Sequence, residues 1–322
     1  MTQSSQKSKI KSLAGDTAIY GTFTILGRFL TFLLTPFYTN YMNMSENADI
    51  IQIFAVLAFV NVVNCLGMEA AFFRFNRTDD PATTRKVFSH AYLVIAAIAF
   101  ATSALGFAFA EEIAPAFTSM DCGADLMRLI CIIPFLDALV IVPYALLRST
   151  RRAKKFATTR FFVIVCSVAL NIFFVVGLRA GSFGVIWAQL LANLICVIVL
   201  FPELRQYLEW KFDKQLAKEM LRFGAPTVPA NVSAIVMQLA DRPILKAFAN
   251  DEQMAIYGVN RRLAIPMMLF VAVFEYAWKP FYLSNFEEEG AKQLYARVLS
   301  YFTLVSAVVF LGSSFFMEYV VR

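Results

Sequence analysis

Apolar windows of roughly twenty residues recur along nearly the whole chain, and one window of that length crosses ~30 Å of hydrocarbon as a helix. They fall at about 15–41, 49–72, 88–110, 126–147, 159–178, 182–202, 223–245, 254–278 and 298–318. A bilayer offers no water to backbone N–H and C=O groups, so such windows fold as helices that satisfy their own backbone. Only 16% of residues are charged and the mean hydropathy is +0.62, where a soluble domain carries about a quarter charged residues. The predicted class is therefore all-α and polytopic, with about nine transmembrane helices. Several windows exceed the length a bilayer needs, which predicts tilt or kinks.

The net charge of +6 is a topology signal, and it excludes a nucleic-acid partner because of where the charges lie. Lys7, Lys9 and Lys11 precede the first window; Arg74, Arg77, Arg85 and Lys86 follow the second; Arg148, Arg151, Arg152, Lys154, Lys155 and Arg160 follow the fourth. Arg205, Lys211, Lys214, Lys218 and Arg222 follow the sixth. The alternate connections are acidic, with Glu46 and Asp49, then Glu111, Glu112, Asp121 and Asp125, then Asp251 and Glu252. This alternation obeys the positive-inside rule and predicts a cytoplasmic N-terminus. Residues 1–14 are polar and basic and the first window is too long for a signal-peptide core, so no cleaved leader is expected. Five scattered cysteines form no C-x-x-C pair and read as packing residues.

Residues 203–222 are the longest polar stretch, with Leu204, Leu208, Phe212 and Leu216 at four-residue spacing between charges. That spacing predicts one amphipathic cytoplasmic helix linking two halves. The expected domains are a six-helix transmembrane bundle over 1–202, the linker over 203–222, and an incomplete second bundle over 223–322. A weak internal repeat supports this division. Pro36, Glu46 and Phe72-Phe73-Arg74-Phe75 have counterparts in Pro243, Glu252 and Trp278-Lys279-Pro280-Phe281 at offsets of 207, 206 and 205 (243−36, 252−46, 279−74). Two full repeats would need about three further helices, so the chain is expected to be a fragment or a truncated frame.

Charged residues near the hydrocarbon carry the functional signal, because a buried cation or carboxylate there must face protein or water. Arg28 sits near the centre of the first window, and Arg74, Arg242, Arg261, Arg262 and Lys279 lie close to others. Guanidinium forks grip phosphate oxygens in pairs and an ammonium adds a point charge, so Arg28, Arg74, Arg242, Arg261 and Lys279 are the candidate anion-binding residues. Asp16, Glu69, Asp241 and Glu275 are candidates for coupling to H⁺ or Na⁺, with a counter-ion role as the alternative for each. A lone His90 builds no zinc site, and no phosphate loop or Ser-His-Asp set occurs, so neither an enzyme nor a cofactor is expected.

The text of three segments bears a family resemblance. GDTAIYGTFTILGRFLTFLLTPFYTNYM (15–42), LADRPILKAFANDEQMAIYGVNRRLA (239–264) and AWKPFYLS (277–284) resemble the first helix, the seventh-to-eighth helix junction and the end of the eighth helix of the Wzx-like polysaccharide flippases. These belong to the MOP superfamily, with the MATE exporters and the lipid II flippase. The resemblance implies two six-helix bundles around a V-shaped cavity, in the inner membrane of a bacterium. It implies ion-coupled flipping of undecaprenyl-pyrophosphate-linked oligosaccharide by alternating access, among membrane lipids and beside other polysaccharide assembly proteins. By that resemblance, cations matching Arg28, Arg242, Arg261 and Lys279 hold the pyrophosphate or acidic sugars. A MATE-type drug or metabolite antiporter, a membrane-embedded polymerase or glycosyltransferase, and a non-transporting remnant are the competing readings.

Overall fold

A computed structural model describes residues 15, 17–19, 21–27, 30, 34, 41–42, 44–77, 79–116, 123–248, 265–285 and 290–321. Among them no strand occurs. The chain divides into two compact units, one of residues 23–232 and one that joins 1–22 to 233–322.

The first of these units is built from α1 (Met44–Cys65), α2 (Met68–Phe75), α3 (Pro81–Ala108), α4 (Gly123–Ser149), α5 (Ala153–Asn171), α6 (Gly181–Tyr207) and α7 (Lys214–Gly224). α8 (Thr227–Phe248) runs across the boundary, and α9 (Ile265–Asn285) and α10 (Ala291–Val321) belong to the other unit. Among the described residues six stretches are long and apolar enough to cross a bilayer: Val56–Phe75, Pro81–Ala108, Gly123–Ser149, Ala153–Gly177, Gly181–Tyr207 and Ala291–Phe315. Most of the predicted windows are thus found as helices. About half of the first lies outside the described residues, as does the start of the one at 254–278.

Local sequence explains where these helices begin and break. Asp80 caps α3: its carboxylate accepts the Ala82 N–H at 2.9 Å, and Pro81 occupies the first helical position, where no N–H is needed. α1 and α2 are one hydropathic stretch broken at Leu66 and Gly67, whose φ angles of 41° and 65° leave the helical region. Gly67 is required twice over, since its φ is left-handed and a Cβ there would collide with the Gly224 carbonyl and the Thr227 hydroxyl. The backbone of the α7–α8 junction therefore rests directly against the break. α5 ends in a wider π-helical turn, Ile172–Gly177, and Ala180 N–H closes the connection to α6 on the Phe174 carbonyl at 3.0 Å.

The linker departs from expectation. One helix over 203–222 was predicted from its spacing; instead α6 runs on to Tyr207, residues 208–213 are not helical, and α7 starts afresh at Lys214. Two side chains of α3 hold the interruption. The Ser89 hydroxyl accepts the Glu209 N–H at 2.7 Å, and His90 Nε2 accepts the Asp213 N–H at 2.6 Å. Asp213 then caps α7 by accepting from Gln215 N at 2.9 Å. The apolar side of α7 is spent on protein: Ala217, Met220 and Gly224 are buried, against α2 and α3.

Along α4 the packing changes character. Towards Gly123, Ile53 and Leu57 of α1, Leu126, Met127, Ile130 and Ile133 of α4, and Ile186 and Leu190 of α6 form one apolar core. In the unit holding α9 and α10, Phe274 and Phe302 meet at 4.5 Å between ring centroids, and Tyr295 donates to the Tyr282 carbonyl at 2.8 Å.

Candidate functional site

Asp137 lies near the middle of α4, fourteen residues after Gly123 and twelve before Ser149 (137−123 and 149−137). Its two oxygens are held from two different helices. Asn61 of α1 donates to Oδ2 at 2.8 Å, and Asn193 of α6 donates to Oδ1 at 2.7 Å. Gln189, one turn before Asn193, donates to the Asn193 side-chain oxygen Oδ1 at 3.1 Å. One carboxylate thus ties α1, α4 and α6 at mid-span. A bonded polar layer of this kind fixes helix register where apolar contacts alone would not.

A second layer lies two turns further along α4. Tyr144 Oη is 3.1 Å from Cys196 Sγ of α6, and the Arg160 guanidinium of α5 stands over the Tyr144 ring at 6.0 Å and the Phe156 ring at 5.9 Å. Beyond it Arg148 is buried in an ion pair with Glu69, its guanidinium 5.1 Å from the Phe73 ring and 5.6 Å from the Phe156 ring. Desolvated guanidinium over aromatic faces gains more than it would in water. Glu69 stands in the first turn of α2, where the free N–H groups favour a carboxylate. Lys155 of α5 pairs with the buried Glu203 of α6. The Ser149 end of this unit is consequently knit by ion pairs and aromatic rings.

Beside the mid-span layer is a cleft of about 200 Å³. Its walls come from Ile53, Leu57 and Val60 of α1, Gly106 of α3, and Met127 and Pro134 of α4. Thr102 and Ser103 are the hydroxyls on its lining. Its chemistry suits a hydrocarbon chain and no charged group.

The residues singled out from sequence distribute as follows. Glu69 and Arg74 share α2; Glu69 pairs with Arg148, and Arg74 is half-buried with its guanidinium 6.0 Å from the Phe75 ring. Glu275 is exposed and Lys279 half-buried one turn later, both on α9. Asp241 and Arg242 fall on α8, with their side chains outside the described set. Asp16, Arg28, Arg261 and Arg262 also lie outside the described residues. Sequence reasoning passed over Asp137, Asn61 and Asn193. The available signal was a lone carboxylate between Pro134 and Pro143, inside a window whose other charge, Arg128, lies near its start.

Helices of this order and packing define a multi-pass membrane protein with the fold of the MATE and MOP transporters. A MATE protein in complex with MaD3S superposes with a TM-score of 0.80 at 14% identity, over 98% of this chain and 74% of that one. A MATE in the straight conformation gives 0.78 at 14% identity, over 97% and 73%. A MOP superfamily transporter from Pyrococcus furiosus, for which a reversed polarity of the binding pocket suggests a different function, gives 0.79 at 14% identity, over 98% and 72%. Comparison with curated proteins gives no significant match. The family model described as polysaccharide biosynthesis protein matches residues 49–322, and the chain belongs to that family.

Proposed function

We propose that this protein is a flippase that moves an undecaprenyl-pyrophosphate-linked oligosaccharide from the inner to the outer leaflet of a bacterial inner membrane, by alternating access. The observation that carries the reading is the coincidence of a polysaccharide-biosynthesis family match with a MATE-like transporter fold. A polysaccharide family needs its lipid-linked intermediate carried across the bilayer, and a rocking two-bundle fold supplies the carrier. In this reading the N-terminus is cytoplasmic and residues 1–202 form one bundle, linked through 203–222 to the second over 223–322. Other polysaccharide assembly proteins deliver the substrate and collect it.

The costliest part of the cargo to move is the diphosphate. Arg28, Arg74, Arg242, Arg261 and Lys279 are proposed to neutralise it, guanidinium forks matching its oxygens. The glycan occupies the hydrated interior while the polyprenyl tail stays in lipid. Asp16, Glu69, Asp241 and Glu275 are the carboxylates first proposed for coupling to H⁺ or Na⁺. The ion pair with Arg148 gives Glu69 the counter-ion role as well.

Arg28→Ala in the full-length protein tests the assignment. Surface polysaccharide is expected to disappear, and lipid-linked precursor to accumulate, at unchanged protein level in the membrane. Unaltered surface polysaccharide in that variant refutes it.

A further inference from the structure

We infer that Asp137 is a proton-binding site that couples protonation to the packing of α1 against α4 and α6. The inference rests on the reading of the chain as an alternating-access transporter. Three observations lead to it. Asp137 sits at mid-span, where a carboxylate is expensive unless it is used. Its hydrogen-bond partners are two neutral amides, and among the described residues it has no ion-pair partner. Glu69 and Glu203, by contrast, each hold a cation. The charge at Asp137 is therefore left for something that arrives and leaves.

The donor set selects the proton over a metal ion. A hard cation needs several oxygen ligands around it. Here Asn61 and Asn193 turn N–H groups to the carboxylate, and the Asn193 oxygen is committed to Gln189. A carboxylate has about four lone-pair directions, so two remain open to a proton after both amides are bound. Groups able to carry charge on the packed elements include Cys65 on α1, His90 and Tyr92 on α3, Arg128, Cys131, Tyr144 and Arg148 on α4, Lys155, Arg160 and Cys166 on α5, and Cys196 and Glu203 on α6. None of them is a hydrogen-bond partner of Asp137.

Protonation has a mechanical consequence. A proton on an open lone pair removes the charge, so the amide hydrogen bonds from α1 and α6 fall from charge-assisted to neutral strength, roughly half, and both ties loosen. Asn61 stands five residues before the left-handed break at Leu66, where α1 can pivot without unwinding a regular helix. The proton comes from water on one side of the membrane and returns to water on the other. The Tyr144–Cys196 pair and Arg160 line the stretch between Asp137 and the Ser149 end.

The test is pH-difference infrared spectroscopy of the purified full chain in lipid, in sodium and in choline buffer. The wild type is expected to give a carboxyl C=O band on acidification, absent in Asp137→Asn, which keeps the size and an acceptor for one of the two amides. Asp137→Glu is expected to keep the band at a shifted frequency. Identical difference spectra in wild type and Asp137→Asn overturn the proposal. So does a carboxylate signal that follows sodium at fixed pH. Should Asp137→Asn fail to reach the membrane, the Asp137→Glu shift decides alone, and an unshifted band overturns the site. The readout needs no substrate: a confirmed band beside unchanged polysaccharide on deletion of the whole protein sustains this site while sinking the flippase reading.

Discussion

The two ends of the bundle over residues 23–232 are held by different physics. Towards Gly123 the helices meet through Ile53, Leu57, Ile130, Ile133 and Ile186, contacts with no preferred direction, and the ion pairs of Arg128 with Glu111 and Asp125 there are exposed and contribute little. Towards Ser149 they meet through Glu69–Arg148, Lys155–Glu203 and guanidinium over aromatic rings, contacts that fail when geometry shifts by an ångström or two. In lipid the hydrophobic effect does not draw helix to helix, so apolar packing there earns only its fit. Directional polar contacts then decide register, and Asp137 stands at the border between the two regimes. The comparison teaches that one end can slide while the other must switch.

Arg148→Ala should break this contrast most severely. It takes the guanidinium away from the largely buried Glu69 carboxylate and removes the stacking on Phe73 and Phe156, at a cost of about 3–5 kcal/mol. Thermal unfolding of the purified protein measures it, and Arg148→Lys should recover only part, because an ammonium cannot stack as a planar fork does. A variant as stable as wild type would mean that the ion pair does not hold that end. At the apolar end, Ile133→Val should cost about 1 kcal/mol, the loss of one buried methylene with a partly collapsed void. A larger loss than at Arg148 would invert the comparison.

The smallest effect is expected at the rim. Hydrogen bonds from the Thr83 hydroxyl, then from the Thr83 and Ala82 N–H groups, hold the exposed Asp80 carboxyl below its ordinary 3.8. A carboxyl lowered in the folded state stabilises it above the unfolded value and loses that contribution as pH falls through the folded one. Protection of the first-turn amides of α3, measured against the intrinsic exchange rate at each pH, should therefore fall below about pH 4, and Asp80→Ala should abolish that fall. Protection that is flat with pH in the wild type would remove the cap from the account.

Much of the architecture was legible because hydropathy is a local property. A run such as 126–147 must be a helix in lipid whatever its neighbours are, and α4 is there. The cap at Asp80 with Pro81 is equally a matter of adjacent residues. The linker was not. Leu204, Leu208, Phe212 and Leu216 spell one helix, yet Ser89 and His90, more than a hundred residues earlier, claim the backbone at Glu209 and Asp213. The break at Gly67 was likewise silent, since a glycine inside an apolar run signals nothing until Gly224 is known to press against it.

The candidate site divides the same way. Glu69 was visible as a carboxylate near hydrocarbon, but its partner Arg148 stood in what reads as a basic loop. Asp137 was hidden by the same averaging that revealed its helix, one carboxylate being too few to lower an apolar window. By itself the order of residues determined that this chain spans membranes as helices, because each segment answers to the solvent around it. Which polar groups share a layer was decided only in three dimensions, because Asn61, Asp137 and Asn193 are brought within 3 Å by the packing of three helices and by nothing local to any of them.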